Sequence, residues 1–323
     1  MDPLFCSICT VAFGKPTTGV VRPTNINKAS YQVSVRLKVY EQLGGYGYGH
    51  ICGGAVISEA LVVTAAQCTL NTAVLPLTYR NPDEFTLVMG SSFLQEKNAY
   101  VLQYDVEAVL PFPAFNSTSL ENDIALLHIK GYIPWEWPTV RPISLQTTAV
   151  QPNTTCRIGG WGKLSRASIA HSMLYTYMYL HTIYGLSKVF FSSHSQQQRD
   201  MSDVLLSAPI PTISYAECSK NYGFIPEGML CAGYAQGGVD ACEGNAGGPL
   251  ECSGQLAGIV SWGIGCGYAG YPGVYTNVSY YSQWIQNVNT PSNDKSDKSI
   301  AISSLKTSKH TWLWTVFASL MVL

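Results

Sequence analysis

Charge is what this chain has least of. Only 12% of its 323 residues are Asp, Glu, Lys or Arg, and the net charge is −1. Ordinary soluble domains carry roughly 25% charged residues. Without a basic excess there is no electrostatic footprint for a nucleic acid, so that partner class is excluded. Low charge with 46% hydrophobic residues is also the opposite of a disordered composition. No apolar run reaches the roughly 18–20 residues of a membrane-spanning helix. Short-period repeats and heptads are missing, which removes solenoids and coiled coils. The six histidines, at 50, 128, 171, 181, 194 and 310, show no ligand spacing with Asp, Glu or Cys. The expectation is therefore no metal and no cofactor.

Cysteine, glycine and tyrosine are abundant, at 10, 29 and 20 residues. In a chain of this kind they indicate a loop-rich, disulfide-stapled product of the secretory route. Residues 1–14 (MDPLFCSICTVAFG) are apolar from Pro3 to Phe13 and end in the small-x-small triplet Ala12-Phe13-Gly14. That form predicts a cleaved signal peptide, against a buried N-terminal strand. Cleavage would remove Cys6 and Cys9 and leave an even eight cysteines. At the other end, residues 289–323 hold a polar spacer and the uncharged apolar tail TWLWTVFASLMVL. Small residues, spacer and tail together fit a GPI-anchor signal, with Asn293, Ser299 and Ser303 as candidate attachment sites. The alternative is an unprocessed amphipathic tail. The sequons at Asn116, Asn153 and Asn277 agree with passage through the secretory route.

Between the ends, strand signals dominate. Tyr31 to Val39 and Phe85 to Met89 alternate. Ala60–Ala65, Ile124–Ile129 and Gln255–Trp262 read as buried strands, and Gly, Pro and Asn turns recur at short intervals. The pattern is that of an all-β barrel protein, with a helix expected at Tyr280 to Val288.

Several words stand out in this background. Cys52-Gly53-Gly54 is followed by Leu61-Val62-Val63-Thr64-Ala65-Ala66-Gln67-Cys68. Later come Asn122-Asp123-Ile124-Ala125-Leu126-Leu127 and Asp240-Ala241-Cys242-Glu243-Gly244-Asn245-Ala246-Gly247-Gly248-Pro249. Ser261-Trp262-Gly263, Cys266 and Pro272-Gly273-Val274-Tyr275 complete the set. In this order, over about residues 20–288, they resemble the histidine, aspartate and serine loops and the pocket walls of trypsin-like serine proteases. The resemblance implies two packed six-stranded antiparallel β-barrels, about residues 20–140 and 141–288, with a short C-terminal helix. It also implies the pairs Cys52–Cys68, Cys156–Cys252, Cys218–Cys231 and Cys242–Cys266.

Acyl transfer needs a nucleophile, a base beside it and a group that orients the base. On the resemblance, the nucleophile position is Ala246 and the base position Gln67; only Asp123 is retained. A methyl group has no lone pair, and an amide takes no proton near neutral pH. Loss of either group alone costs on the order of 10⁶ in turnover. The family also pairs a newly freed N-terminal amine with an aspartate just before the serine. Here that position is neutral Asn245, and Gly19-Val20-Val21-Arg22-Pro23 lacks the usual start. Gly244 remains at the place of the oxyanion-hole glycine. The pocket departs less: Asp240, Ser261, Trp262, Gly263 and Gly273 match members that accept Arg or Lys, and it is either a binding cleft without cleavage or a fossil pocket closed by a zymogen-like Asn245 loop.

The expectation is a non-catalytic homologue on the cell exterior, secreted or tethered by GPI. It would work by binding a protease, a protease inhibitor or a surface protein. A rigid adhesion scaffold is the alternative, and residual endopeptidase activity the least favoured reading. One segment fits the family poorly. Residues 163–200 replace a short loop and include the Tyr-rich run MLYTYMYLHTIYGLSKVFF. Lys163-Leu164-Ser165 and Phe190 to Ser195 can be encoded by a splice donor and acceptor in one reading frame. A retained intron and a genuine partner-binding loop both remain open.

Overall fold

The computed structural model describes residues 21–162 and 201–289. The proposed signal peptide, the segment at 163–200 and the C-terminal tail lie outside them. Among the described residues, no helix is long and apolar enough to cross a membrane.

The first barrel closes on itself. Its strands are β2 (Gln32–Leu37), β3 (His50–Val56), β4 (Leu61–Thr64), β9 (Ala125–Ile129), β8 (Leu102–Pro111) and β7 (Phe85–Met89), in that spatial order. The ring shuts where β2 pairs with β7, Val33 opposite Met89 and Leu37 opposite Phe85. Val33, Val35, Val62, Leu87, Leu126 and Ile129 are buried. Each such side chain contributes about 1.5–3 kcal/mol by leaving water. The second barrel is built from β12 (Leu206–Ile213), β11 (Thr155–Gly160), β14 (Pro249–Cys252), β15 (Gln255–Trp262), β16 (Gly273–Asn277) and β13 (Met229–Ala232). Pairing of β12 with β13 closes that ring. Short β1 (Arg22–Pro23) is pinned antiparallel to β12, β10 (Ser144–Leu145) lies parallel to β15, and β5 (Leu70–Asn71) pairs with β6 (Thr78–Tyr79) outside both rings. Two closed six-stranded barrels are therefore present, as the resemblance implied. All four implied disulfides form: Cys52–Cys68, Cys156–Cys252, Cys218–Cys231 and Cys242–Cys266.

Strand β2 departs from its sequence reading. The alternation from Tyr31 to Val39 suggests one wet face, yet every residue from Gln32 to Leu37 is buried. The strand also stops at Leu37, and α1 (Lys38–Gly44) begins where the alternation still ran. The polar face of β2 is covered by α1, by the loop at Leu94 and by the turn at Gly244, so Ser34 and Arg36 have partners instead of water. A second helix, α2 (Tyr215–Tyr222), is capped by Ser214, whose hydroxyl accepts from the Glu217 N–H. The C-terminal helix α3 spans Val278–Asn289, starting two residues before its expected Tyr280.

The barrels approach one another closely at glycine. A Cβ on Gly53 would lie 2.7 Å from the Gly248 Cα. Gly247 has φ +79°, and a Cβ there would lie 2.6 Å from the Gly53 oxygen. The Gly53 N–H donates to the Ala246 carbonyl at 2.8 Å. Any larger residue at these points would push the two barrels apart and separate the groups gathered between them.

Candidate functional site

Gln67 stands on a single 3-10 turn, Ala66–Thr69, directly after β4. The Cys52–Cys68 bridge fixes that turn to β3. Asp123 precedes β9 and is 1% exposed. Asn122 beside it adopts φ +60°, a conformation Asn tolerates better than most residues. The Tyr281 hydroxyl holds the Asn122 side chain at 2.8 Å, and Thr276 Oγ1 donates to the Asp123 carbonyl at 2.6 Å.

Of the sequence-predicted trio, Gln67 and Asp123 meet directly. Gln67 Nε2 donates to Asp123 Oδ2 at 2.6 Å and to the Ser261 carbonyl at 2.9 Å. Both partners are pure acceptors, which places the amide nitrogen on their side. Both amide hydrogens are thereby committed, and only the carbonyl oxygen of Gln67 is left for a ligand. Asp123 also accepts from the Gln67 backbone N–H at 2.8 Å and from Ser261 Oγ at 2.6 Å. Burial raises its pKa, and these hydrogen bonds pull it back. Ala246, the position that the resemblance assigns to a nucleophile, carries a methyl group.

Behind Ala246 a tight turn is held from three sides. His50, fully buried, bonds through Nε2 to the Gly244 carbonyl at 3.0 Å. A carbonyl only accepts, so Nε2 carries the proton. Nδ1 then accepts from Ser34 at 2.7 Å, and Ser34 Oγ accepts from Arg36 Nε at 2.9 Å. Asn245, also buried, accepts the Gly162 N–H through Oδ1 at 3.1 Å. Here a neutral amide meets a neutral donor, with no buried charge to compensate. The Asn245 N–H donates to the Cys242 carbonyl at 3.0 Å. The N–H groups on either side, of Gly244 and Ala246, have no acceptor among the described residues.

Asp240 lies four residues before Gly244 and is 2% exposed. Its Oδ2 accepts the Gly267 N–H at 3.1 Å, and the Cys242–Cys266 bridge ties the two loops together. Oδ1 has no hydrogen-bond partner among the described residues. The hydroxyl of fully buried Tyr275 is likewise unmatched. Both atoms face Gly273: a Cβ there would lie 2.5 Å from Asp240 Oδ1 and 3.2 Å from the Tyr275 hydroxyl. Glycine at 273 keeps that approach clear. A Cβ on Gly263 would meet nothing nearer than 3.7 Å. Trp262 stands edge-on to Tyr222 at 5.1 Å, and its indole N–H has no partner among the described residues. Desolvation raises the Asp240 pKa from 3.8 to about 6, opposed by the N–H groups of Gly267 and Ala241.

A cavity of about 450 Å³ lies elsewhere, lined in part by Asn25, Ser92, Phe93, Asn98, Tyr100 and Thr139. None of the residues around Gln67, Asp123 and Asp240 lines it, and among the described residues no unmatched buried polar atom belongs to its lining. The Asp240 site is the stronger candidate, because an orphaned buried carboxylate demands a partner and an open hollow does not. Among the described residues no cluster of His, Cys, Asp and Glu has a metal-binding arrangement.

The sequons divide. Asn116 and Asn153 are exposed. Asn277 is half-buried, donates through Nδ2 to the Glu227 carbonyl at 3.3 Å and accepts from Ser279 at 2.8 Å. Sequence reading missed His50, Ser34 and Arg36. The signal available was a polar residue at every second place of a strand whose other residues are Val and Leu.

A family model described as Trypsin matches residues 20–185 and 188–285. The chain belongs to this family. It is 34% identical to Trypsin I-P1 of Gallus gallus over 259 residues, 80% of this chain and 83% of the relative. It is 32% identical to Trypsin eta of Drosophila melanogaster over 241 residues, covering 74% and 76% of the two chains. Anionic trypsin of Bos taurus is 32% identical over 261 residues, covering 80% and 84%.

Proposed function

We propose that this trypsin-family chain binds without cleaving. Its ligand is a protein that presents an Arg or Lys side chain to the pocket floored by Asp240. The observation that carries the reading is Asp240 Oδ1, buried and unmatched between Gly273 and Tyr275. A buried ionised carboxylate is costly unless paired, and a guanidinium or ammonium entering the pocket supplies the pair. Lack of turnover follows from the chemistry at positions 67 and 246. Gln67 spends both amide hydrogens on Asp123 and Ser261, and Ala246 carries no nucleophile.

The partner is a protease, a protease inhibitor or a surface protein, and the bound chain acts as decoy, cofactor or regulator. Four disulfides support an oxidising, extracellular setting. The exposed sequons at Asn116 and Asn153 support glycosylation. Release from cells by a phosphatidylinositol-specific phospholipase tests the GPI tether. Titration with benzamidine, an aromatic cation, tests the pocket. Saturable binding that disappears in Asp240→Asn is expected. Absence of binding at millimolar ligand overturns the pocket and leaves the scaffold reading. A fluorophosphonate probe should not label the protein; labelling at the cleft would overturn the non-catalytic reading.

A further inference from the structure

The hollow beside the Asn25–Asn27 turn is chemically unlike the Asp240 pocket and suits a different ligand. Its volume, about 450 Å³, falls within the usual range of small-molecule sites. Glu96 is the one charged residue in its lining. Lys97 beside it lies over the Tyr46 ring instead, 5.8 Å from its centre. With no cation in the lining, an anion has nothing to pair with. A metal ion would find a single carboxylate, and one carboxylate is too few to hold it. What the lining offers is neutral amides, hydroxyls and the two aromatic rings of Phe93 and Tyr100.

The donors are preset. Asn98 Oδ1 accepts the Tyr100 N–H at 2.9 Å, and Asn25 Oδ1 accepts the Asn27 N–H at 2.9 Å. Each amide is thereby tied to its own loop through its oxygen. Asn25 Nδ2 has no acceptor among the described residues, and Asn98 Nδ2 has only Glu96 Oε1, at 3.5 Å. Ser91, 6% exposed, accepts the Phe93 N–H at 2.9 Å, and Ser92 accepts the Ile26 N–H at 2.8 Å. Among the described residues their hydroxyl hydrogens are uncommitted. An apolar side chain of a protein partner would leave all these donors unanswered, which is costly once water is displaced. A sugar hydroxyl both donates and accepts. It is held best where an acceptor and a donor stand side by side, as Glu96 Oε1 and Asn98 Nδ2 do. Phe93 and Tyr100, 41% and 57% exposed, supply flat apolar faces for the C–H face of a pyranose ring. The aromatic supply continues beyond the hollow. Trp137 Nε1 donates to the Tyr100 carbonyl at 2.9 Å, which joins the loop 131–139 to the hollow's rim. That loop carries Tyr132 and Trp135, 69% and 64% exposed. Exposed aromatic rings beside a polar hollow suit a chain of sugars better than a single one.

We infer that this hollow binds a neutral oligosaccharide. One pyranose ring covers Tyr100 and Phe93, a pair of its hydroxyls bonds Glu96 and Asn98, and further rings follow the loop that carries Trp135. The inference is independent of the Asp240 reading, since the two sites share no residue. It gives the protein a second ligand class, uncharged and held by many weak contacts where the Asp240 pocket takes one strong charge.

Calorimetry on the full chain tests this, after N-glycosidase treatment so that glycans on its own sequons do not compete. The probes are methyl glycosides of mannose, galactose and N-acetylglucosamine, the corresponding trisaccharides, and methyl glucuronide as an anionic control. At least one neutral glycoside should bind saturably at millimolar concentration, and its trisaccharide more tightly by about threefold or more. The glucuronide should bind more weakly, because Glu96 repels it. Tyr100→Ala should weaken neutral binding about fivefold and Glu96→Gln about tenfold, each with an unchanged melting temperature. The Tyr100 main-chain carbonyl, which holds Trp137 and Thr139, survives that substitution. Saturating benzamidine should leave the sugar affinity unchanged, whether or not benzamidine itself binds. Absence of saturable binding by every trisaccharide overturns the inference. So does binding that neither substitution weakens, that benzamidine displaces, or that the glucuronide matches.

Discussion

Arg36 in the first barrel and Asp240 in the second are buried to nearly the same depth, and the two charges are treated in opposite ways. In the first, the Arg36 guanidinium is 1% exposed and hydrogen-bonded through all three nitrogens. It donates to Glu41 at 3.1 Å, to Ser34 at 2.9 Å and to the Leu94 carbonyl at 2.7 Å, and it lies 4.6 Å from the centre of the Tyr46 ring. Glu41 in turn accepts the N–H groups of Gly47 and Gly49. In the second barrel, Asp240 is nearly as buried and leaves one oxygen unmatched. Burial is the largest influence on both: it lowers the Arg36 pKa, with Glu41 opposing it, and it lifts that of Asp240 to about 6. A charge whose partners all come from its own chain is part of the fold. One left short of partners is stored for a ligand.

The first way to break this comparison is to orphan Arg36. In Glu41→Gln the guanidinium keeps its place and loses its counter-charge, which costs about 3–5 kcal/mol when a buried pair is halved. Urea unfolding should show that loss. The double variant Arg36→Met with Glu41→Met removes both charges and should recover most of it. A single variant as stable as the parent would mean that Arg36 is not held by its own chain, and the contrast would fail.

The second is to remove the orphan in the other barrel, and here the sign reverses. The folded pKa of Asp240, about 6, lies above the ordinary 3.8. Its contribution is therefore most favourable below about pH 4 and is lost as pH rises through 6. The rise amounts to about 3 kcal/mol at neutral pH. Asp240→Asn should be more stable than the parent at pH 7 by up to that amount and little different at pH 4. Urea unfolding of both proteins at both pH values measures the change, and other carboxylates cancel in the difference. A less stable variant at pH 7 would show that the carboxylate is already paired.

Ligand binding should follow the same titration. A cation in the pocket pairs with ionised Asp240, so benzamidine affinity should rise about tenfold per pH unit below 6 and level off above it. Calorimetry between pH 4.5 and 8 reads this directly. A flat profile would place the ligand elsewhere.

The two charges also differ in how readable they are. Asp240, Gln67, Asp123 and Ala246 stand in words whose neighbours are distinctive, such as the run from Asp240 to Pro249, so their positions could be named without coordinates. The barrels and disulfides were reached by the same resemblance. Arg36 could not be, because Val33-Ser34-Val35-Arg36 has the period of a half-wet strand. Whether the polar face meets water depends on α1 and on the Gly244 turn, some 200 residues away in sequence. Hydrophobic periodicity reports that the two faces differ and is silent on what covers the polar one. Helix α2 is a different miss. Its Ser214-Tyr215-Ala216-Glu217 start has the spacing of a capping box, and the signal was present to be read. The pairing of Gln67 with Asp123 and Ser261 lay beyond sequence, because an amide can bond either way until its neighbours' acceptors are fixed in space.

The smallest effect sharpens the comparison from outside. Lys220 and Glu217 form an ion pair on α2 with both side chains more than half exposed. Its charges are as opposite as those of Arg36 and Glu41, and its spacing suits a helix. Water screens it, and the long Lys side chain gives up rotamer freedom to hold it. Lys220→Ala should therefore change unfolding free energy by less than about 0.5 kcal/mol, in the presence or absence of 0.5 M salt. Measured beside Glu41→Gln, it separates two explanations. If charge pairing as such mattered, the two variants would lose comparable amounts. If burial sets the scale, the loss should be several-fold larger for the pair under α1. A large, salt-sensitive loss in Lys220→Ala would remove burial as the reason why Arg36 is held and Asp240 is left waiting.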